Sequence, residues 1–409
     1  MNKINTFIFI LFIATLIYGC AEKQSNYKDG LIDYGVAMDQ FDQIDKITIN
    51  PKKKRNSILV YDSLFADYSC ISLITPTNKD IIGDIDQIEF YEDKIYVADY
   101  SQSKGIYIFD KTGSHINTIK QLGQGPEEYV DIRFVNFNAA LQRIELYDSR
   151  QGKIMFYDLS GNYLFSKDIP FTFDSFTFLN GAYYFYCKFF PSEQGNYRIV
   201  VTDSLFNFKN GLLPYEDEMK LTMALKMDDN FYNNKDHVYF YESYNNIIYE
   251  LSGNDILPHK MVRFSDKGLP NDYINRVGKS LFSEISKTDY SYLLNRAIVD
   301  PPFYFFTYNY DDVLQYYLEF EKGSGEIKQH SYAQIFHPND KFHVSQLIYA
   351  DSNHFYFLID PQLLSENQIN QMRDGSLLKK EVEKARLKTT GAVVNYIILK
   401  CRVKSNVTN

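Results

Sequence analysis

The sequence has no tryptophan, few cysteines and only one long apolar run. Among its 409 residues, the four cysteines are at positions 20, 70, 187 and 401, and no two of them form a Cys-x-x-Cys pair. This spacing excludes a disulfide-stapled small domain and a zinc ribbon. The three cysteines after Cys20 each lie in a strand-like run. They are predicted to be buried free thiols, and a pairing of Cys70 with Cys401 stays open.

Basic residues are also in the minority. The chain carries 43 Lys and Arg against 52 Asp and Glu, a net charge of −9. A nucleic acid or an anionic surface would call for a basic patch on the protein. The charge balance therefore argues against nucleic acid as a partner and favours neutral or cationic ligands.

The apolar run covers residues 7–17 and follows Lys3. It is about a dozen residues long, too short to span a bilayer and typical of a signal-peptide core. The next residues, Ile-Tyr-Gly-Cys, resemble a lipobox, the site at which a signal peptidase cleaves before a lipid-bearing cysteine. We therefore predict a lipoprotein signal peptide at 1–19, lipidation of Cys20 and a tether at 20–45, with the membrane as a partner through the lipid. The alternative is a plain secretory signal.

Tyrosine and phenylalanine are abundant, at 35 and 32 residues, which favours strands. A unit of short alternating strands also recurs along the chain. Residues 94–113 match residues 143–161 almost position for position, and weaker copies start near residues 182, 237, 303 and 354. The spacing of roughly 40 to 65 residues is close to that of propeller blades.

Each unit predicts a small antiparallel sheet that cannot bury both of its faces alone, a problem that radial stacking solves. The sequence therefore predicts an all-β fold, a six-bladed β-propeller over residues 46–405, with a β-sandwich as the main competitor. Asp-x-x-Gly turns at 110–113 and 158–161 suit tight hairpins. We expect residues 57–61 and 68–73 to share the closing blade with residues 395–399, because joining both chain ends removes exposed edges.

Four segments carry a family resemblance. They are residues 73–75, 81–88, 95–99 and the Gly-Gln-Gly-Pro-Glu-Glu-Tyr stretch at 123–129. With them the chain resembles the six-bladed β-propeller lipoproteins of Bacteroidota, whose blades are NHL-like or TolB-like. The resemblance implies a lipid-anchored protein of the cell envelope, at the outer membrane, with its periplasmic or surface side left open. It implies no shared catalytic motif.

The stretch at 123–129 lacks the following helix and lysine of a phosphate-binding loop. Its glycines predict a sharp turn between two blades, and Tyr129 is predicted to pack between these blades. Glu127, Glu128 and Tyr129 are the candidate loop or surface contacts.

Other clusters of polar residues give weaker signals. His330, His337 and His343 fit no familiar metal-site spacing, and the acidic pairs at 228–229 and 311–312 match no calcium loop. No catalytic, metal or cofactor-binding residue is therefore predicted.

Two segments interrupt the strand pattern with helical spacing, residues 271–297 and residues 362–388. In the second, Leu378, Val382 and Ala385 fall on one face. We expect these helical insertions to bury their apolar stripes on the nearest blade; the alternative is that they wall a pocket over the channel.

These observations favour a non-catalytic binding protein of the envelope, for which a glycan, a peptide or an envelope protein is the expected partner. The alternative is a metal-dependent propeller hydrolase or lactonase with a divalent metal as cofactor. Glu, Asp and Asn side chains that converge at the channel mouth would support the alternative.

Overall fold

The computed structural model describes residues 44–51, 58–76, 81–190, 192–215, 230–234, 237–253, 255–270, 284–300, 303–310, 313–321, 327–332, 334–344, 346–351, 353–387 and 391–404. The predicted signal peptide, Cys20 and nearly all of the tether lie outside this set. Strands dominate the described residues, as the aromatic composition predicts. No helix in these ranges is long and apolar enough to cross a bilayer.

Six sheets of four or five strands form the larger blades. Blade 1 contains β4 (Gln87–Tyr91), β5 (Lys94–Asp99), β6 (Gly105–Asp110) and β7 (His115–Ile119). Blade 2 contains β8 (Phe134–Asn138), β9 (Arg143–Asp148), β10 (Lys153–Asp158) and β11 (Tyr163–Asp168). Blade 3 contains β12 (Ser175–Leu179), β13 (Ala182–Tyr186), β14 (Tyr197–Asp203) and β15 (Phe208–Pro214).

The remaining larger blades take in the N-terminal strands. Blade 4 contains β16 (Phe231–Asn234), β17 (His237–Phe240), β18 (Ile247–Ser252), β19 (Asp255–Phe264) and, parallel to β19, β1 (Asp45–Ile49). Blade 5 contains β20 (Tyr292–Asp300), β21 (Phe303–Tyr310), β22 (Val313–Glu321) and β23 (Ile327–Tyr332). Blade 6 contains β26 (Leu347–Ala350), β27 (His354–Ile359), β28 (Val393–Val403) and β3 (Phe65–Thr75).

A seventh, smaller blade corrects the predicted count of six. It consists of β2 (Ile58–Val60), β24 (Gln334–His337) and β25 (Phe342–Val344), with β2 parallel to β24. These strands have only three or four residues, too few to show an alternating pattern in the sequence. The β-propeller is confirmed, and the six-bladed count is wrong.

The closing blade joins both ends of the described chain. β28 lies between β27 and β3, with Leu73 opposite Tyr396 and Cys70 opposite Leu399. This confirms that residues 68–73 share a blade with residues 395–399. Residues 58–60 instead belong to the seventh blade, so that part of the prediction is wrong. Cys70, Cys187 and Cys401 are free thiols, and Cys70 is only half-buried.

Apolar clusters fill the spaces between neighbouring blades. Between blades 1 and 2, for example, Tyr96 and Ile108 pack with Val135, Leu146 and Met155, all of them buried. The core of this fold is therefore divided among the blade junctions, because each strand buries side chains on both faces of its sheet.

The second helical insertion is confirmed as α1 (Glu366–Gln371) and α2 (Leu377–Arg386). Ser365 begins α1 with a capping box, and Ser376 accepts a hydrogen bond from the backbone of Lys379 at the start of α2. Leu378, Val382 and Ala385 of α2 are buried, as expected, in a core cluster shared by blades 5 and 6 and the seventh blade.

The first insertion needs a correction. Residues 271–283 lie outside the described residues, but residues 292–297 form the beginning of β20 and are not helical. Leu293 and Ala297 of this strand are buried against blade 4. Residues 292–297 form a strand because they pair with β21, so the predicted helical range is too long at its C-terminal end.

Candidate functional site

Two adjoining cavities lie where the innermost strands of the larger blades surround the propeller axis. The inner cavity, of about 140 Å³, is lined by residues of all six innermost strands, β4, β8, β12, β16, β20 and β26. The mouth cavity, of about 720 Å³, is lined by the later residues of five of these strands, β4, β8, β12, β16 and β26, by the turns after β8 and β26 and by the start of β17. The described residues of the seventh blade line neither cavity.

Six residues line both cavities, and we call them the junction residues. One is a carboxylate, two are amides and three carry aromatic rings. They are Glu89, Asn136, Phe137, Tyr232, Asn233 and Tyr349.

The polar lining residues hold equivalent positions in their strands. Glu89, Asn136, Thr177 and Asn233 are each the third residue of the innermost strand of blades 1 to 4. Strand alternation places their neighbours on the other face of the sheet. In blade 1, for example, Phe90 packs on Tyr349 of blade 6 with a ring separation of 4.7 Å. The third residue of the innermost strand in blades 1 to 4 thus brings a polar group to the mouth cavity, while neighbours such as Phe90 and Phe137 line the cavity and also pack between blades.

A buried carboxylate between blades 2 and 3 orients two of the lining amides. Glu145 is fully buried and accepts hydrogen bonds from Nδ2 of Asn136 at 2.8 Å and from Nδ2 of Asn138 at 3.0 Å. It also accepts from Nε of Arg143 and from the hydroxyl of Tyr183, each at 2.7 Å. Since an ionised carboxylate only accepts hydrogen bonds, the orientation of both amide groups is determined.

A second polar contact links blades 3 and 4. The hydroxyl of Thr177 donates to Oδ1 of Asn233 at 2.8 Å. Both residues line the mouth cavity, where Thr177 is buried and Asn233 is exposed. The contact engages the amide oxygen of Asn233 and connects the innermost strands of the two blades.

Acidic groups dominate the charged lining. Asp86, Glu89 and Asp351 line one or both cavities, and no Lys or Arg is among the lining residues that the structure describes. The one histidine in the lining, His237, lies 2.6 Å from a carboxylate oxygen of Glu250 through its Nδ1. The cavities are thus acceptor-rich and acidic.

Asp351 is held by its own turn. Its Oδ1 accepts from the backbone nitrogens of Asn353 and His354 at 2.8 Å, and its Oδ2 accepts from the hydroxyl of Tyr356 at 2.8 Å. Burial raises the pKa of Asp351, but these hydrogen bonds and the His354 charge outweigh it, so that the pKa lies below its usual value. Asp351 is therefore ionised at neutral pH.

The sequence-predicted contacts lie elsewhere, in the loop between blades 1 and 2. Glu127 is exposed, and Glu128 accepts from the backbone nitrogen of Gly125 at 2.8 Å. Tyr129 is fully buried and donates to the backbone oxygen of Lys104 at 2.7 Å, which agrees with packing between blades and removes it from the surface. None of the three lines a cavity. A partner for Glu127 and Glu128 stays a prediction.

The three histidines are divided between two blades, with His330 in β23 of blade 5 and His337 and His343 in the seventh blade. His337 is buried, accepts from the backbone nitrogen of Asp340 at 2.9 Å and stacks on Phe342. His343 is exposed and contacts Phe336. The acidic pairs at 228–229 and 311–312 lie outside the described residues. Across the ranges that the structure describes, no three His, Cys, Asp or Glu side chains come close enough to hold a metal.

Sequence reasoning missed every junction residue. The available signal was a polar residue at the third position of a strand, between two apolar neighbours, as in Phe-Val-Asn-Phe-Asn of β8 and Ser-Phe-Thr-Phe-Leu of β12. This signal identifies channel-lining residues only once it is known which strand of each repeat is innermost.

Comparison with solved structures shows the same fold. A protein of Bacteroides fragilis that is described as exported superposes with a TM-score of 0.69 at 18% identity, over 88% of this chain and 99% of its own. A member of the DUF4221 family from Bacteroides vulgatus gives a TM-score of 0.48 at 10% identity, over 83% and 98%. A catalytically inactive virginiamycin B lyase from Staphylococcus aureus gives 0.41 at 14% identity, over 82% and 99%. Only the first similarity supports a shared fold.

No curated protein matches the chain. One family model does match, over residues 44–398, and it is described as a domain of unknown function, DUF4934. This match spans nearly all of the propeller, from β1 into β28. The chain therefore belongs to the DUF4934 family.

Proposed function

We propose that this protein is an exported, lipid-anchored member of the cell envelope whose propeller binds a small ligand in the mouth cavity without transforming it. The observation that carries the proposal is the mouth cavity itself, with one polar group supplied by each of blades 1 to 4 at the same strand position. Its volume of about 720 Å³ lies within the range typical of ligand sites.

The location is supported by two independent features. The N-terminal apolar run ends in Gly19-Cys20, as a lipoprotein signal does. The B. fragilis protein that shares the fold is described as exported. We place the lipid on Cys20 and the protein at the outer membrane.

The hydrogen bonding of the cavity favours binding over turnover. Glu89, Asn136, Asn138, Asn233 and Asp351 do converge on the mouth, the arrangement expected of the hydrolase alternative. Several of these groups, however, are engaged in holding the blades and turns together. Among the described residues, no three His, Cys, Asp or Glu side chains come together to hold a metal. We therefore derive no metal-dependent step.

A blocked cavity tests the proposal. Ala139 is exposed in the turn after β8 and lines the mouth cavity, so Ala139→Trp should fill the mouth without disturbing a buried contact. Asn370→Trp, on the exposed side of α1, is the matched control. The mature chain, with Cys20→Ala to remove the lipid, would be screened on arrays of glycans and peptides.

We expect a ligand that binds the parent and the control equally and loses about tenfold or more affinity for Ala139→Trp, with unchanged melting temperatures. Equal binding by both tryptophan variants would contradict the cavity as the site. Turnover of a lactone, ester or glycoside that is lost on chelation would establish the hydrolase instead.

A further inference from the structure

The junction between the two cavities combines one carboxylate with three aromatic rings. Glu89 comes from blade 1, Phe137 from blade 2, Tyr232 from blade 4 and Tyr349 from blade 6. These four side chains therefore surround the channel from different directions.

We infer that the ligand carries an ammonium or guanidinium group, and that this group is held at the junction by Glu89 and the rings of Phe137, Tyr232 and Tyr349. The inference rests on the proposed function, since it names the ligand class of the same site. Aromatic faces attract cations through the ring quadrupole, and the attraction grows when the site is shielded from water. A nearby carboxylate adds the opposite charge.

Two of the three lining carboxylates line only one cavity each, Asp86 the inner cavity and Asp351 the mouth cavity, and hydrogen bonds hold both in their loops. One oxygen of Asp86 accepts from the backbone nitrogens of Tyr100 and Ser101 and from the Ser101 hydroxyl. Asp351 uses both of its oxygens within its turn and with Tyr356. Glu89 is the carboxylate shared by both cavities, so it is the group best placed to meet a ligand that extends from the mouth into the inner cavity.

The neighbouring amide also presents an acceptor. Asn136 donates through its Nδ2 to Glu145, which directs its Oδ1 away from that carboxylate. A donor-rich cationic group matches an acceptor beside a carboxylate, whereas a phosphate or carboxylate ligand would meet like charge. The inner cavity, at about 140 Å³, has room for the end group of a ligand whose remainder occupies the mouth.

Matched pairs of small probes test the inference on the mature chain with Cys20→Ala. Nα-acetyl-lysine methylamide and Nα-acetyl-norleucine methylamide differ by the ammonium group alone, and glucosamine with N-acetylglucosamine forms a second pair. The first pair represents a basic peptide side chain and the second an amino sugar, so the two arms distinguish the source of the cation. Affinities would be measured by calorimetric titration.

We expect the cationic member of at least one pair to bind about tenfold more tightly than its neutral partner. Glu89→Gln, which keeps the shape and removes the charge, should reduce that preference to about twofold or less. Tyr232→Leu should weaken it by about threefold while the charge remains. Glu366→Gln, an exposed carboxylate on α1 that faces neither cavity, should leave the preference unchanged.

Equal affinity for charged and neutral probes, or an undiminished preference in Glu89→Gln, would overturn the inference. Failure of every probe to bind at millimolar concentration would overturn it too. In each of these cases, a ligand found on the arrays that no longer binds Ala139→Trp would still support the proposed function. The two failures are therefore distinguishable.

Discussion

Asn136 donates a hydrogen bond from Nδ2 to Oε2 of Glu145 at 2.8 Å, which ties a cavity-lining amide to a carboxylate that is fully buried between two blades. Arg143 supplies the countercharge, 2.7 Å from the same carboxylate, and its guanidinium lies 4.5 Å from the centre of the Phe156 ring. The hydroxyl of Tyr183, from blade 3, also donates a hydrogen bond to Glu145. The channel geometry therefore depends on a polar cluster buried beneath its surface.

Glu145→Ala should destabilise the protein strongly. It removes the acceptor of four hydrogen bonds and leaves the largely buried Arg143 without its partner, a change that costs about 3–5 kcal/mol in comparable cases. Chemical denaturation at pH 7 measures the effect. Tyr183→Phe, which keeps the ring but removes the hydroxyl that donates to Glu145 and accepts from Arg143, should cost less, about 1–2 kcal/mol. Similar losses for the two variants would show that the cluster does not act as described.

The repeating hairpins were predictable because their determinants are local. At the predicted Asp-x-x-Gly turns, Gly113 and Gly161 each donate to the backbone oxygen of the Asp three residues earlier at 3.0 Å, with φ of +89° and +87°. Closure of the propeller was predictable for a different reason. Strand-like runs at residues 68–73 and 395–399 lie towards the two ends of the propeller sequence, and pairing them removes exposed strand edges.

The seventh blade could not be predicted, because its pairing is parallel and joins residues far apart in the sequence. Ile58 lies opposite Gln334, and none of the three side chains of β2 is fully buried, so β2 shows no buried face in the sequence. The junction residues were missed for a related reason. Glu89 and Tyr349 come from opposite ends of the chain and meet only because the blades form a circle.

The lipid anchor gives a prediction that does not depend on the propeller. Growth with labelled palmitate should label the protein, because the lipobox-like sequence places a thiol at position 20. Cys20→Ala should abolish the label and release the protein from the membrane fraction. Cys70→Ala, which alters a half-buried thiol within β3, should keep the label. Persistence of the lipid on Cys20→Ala would contradict Cys20 as the lipidated residue.

The turn between β6 and β7 should make stability depend on pH. Oδ1 of Asp110 accepts hydrogen bonds from the Thr112 hydroxyl at 2.6 Å and from the backbone nitrogens of Thr112 and Ser114 at 2.8 and 3.0 Å. The bond from the Thr112 hydroxyl is the main reason that the pKa of Asp110 lies below its usual value. The ionised form is therefore favoured in the folded state. Its stabilising effect is present above the unfolded pKa of about 3.9 and is lost as the pH falls through the folded pKa.

Asp110→Asn should thus lower the free energy of unfolding at pH 7, and the difference from the parent should shrink steadily below about pH 4. The effect should reach the closing blade, because the backbone oxygen of Gly113 in this turn accepts from the nitrogen of Ile74 in β3 at 2.9 Å. Asp93→Asn is the control, since that side chain is 81% exposed and contacts Lys111 only at the surface; it should change stability by less than about 0.5 kcal/mol at either pH. Chemical denaturation of the parent, Asp110→Asn and Asp93→Asn from pH 3 to 7 measures these differences in the free energy of unfolding. A constant gap between Asp110→Asn and the parent over that range would mean that the charge of Asp110 does not stabilise the turn.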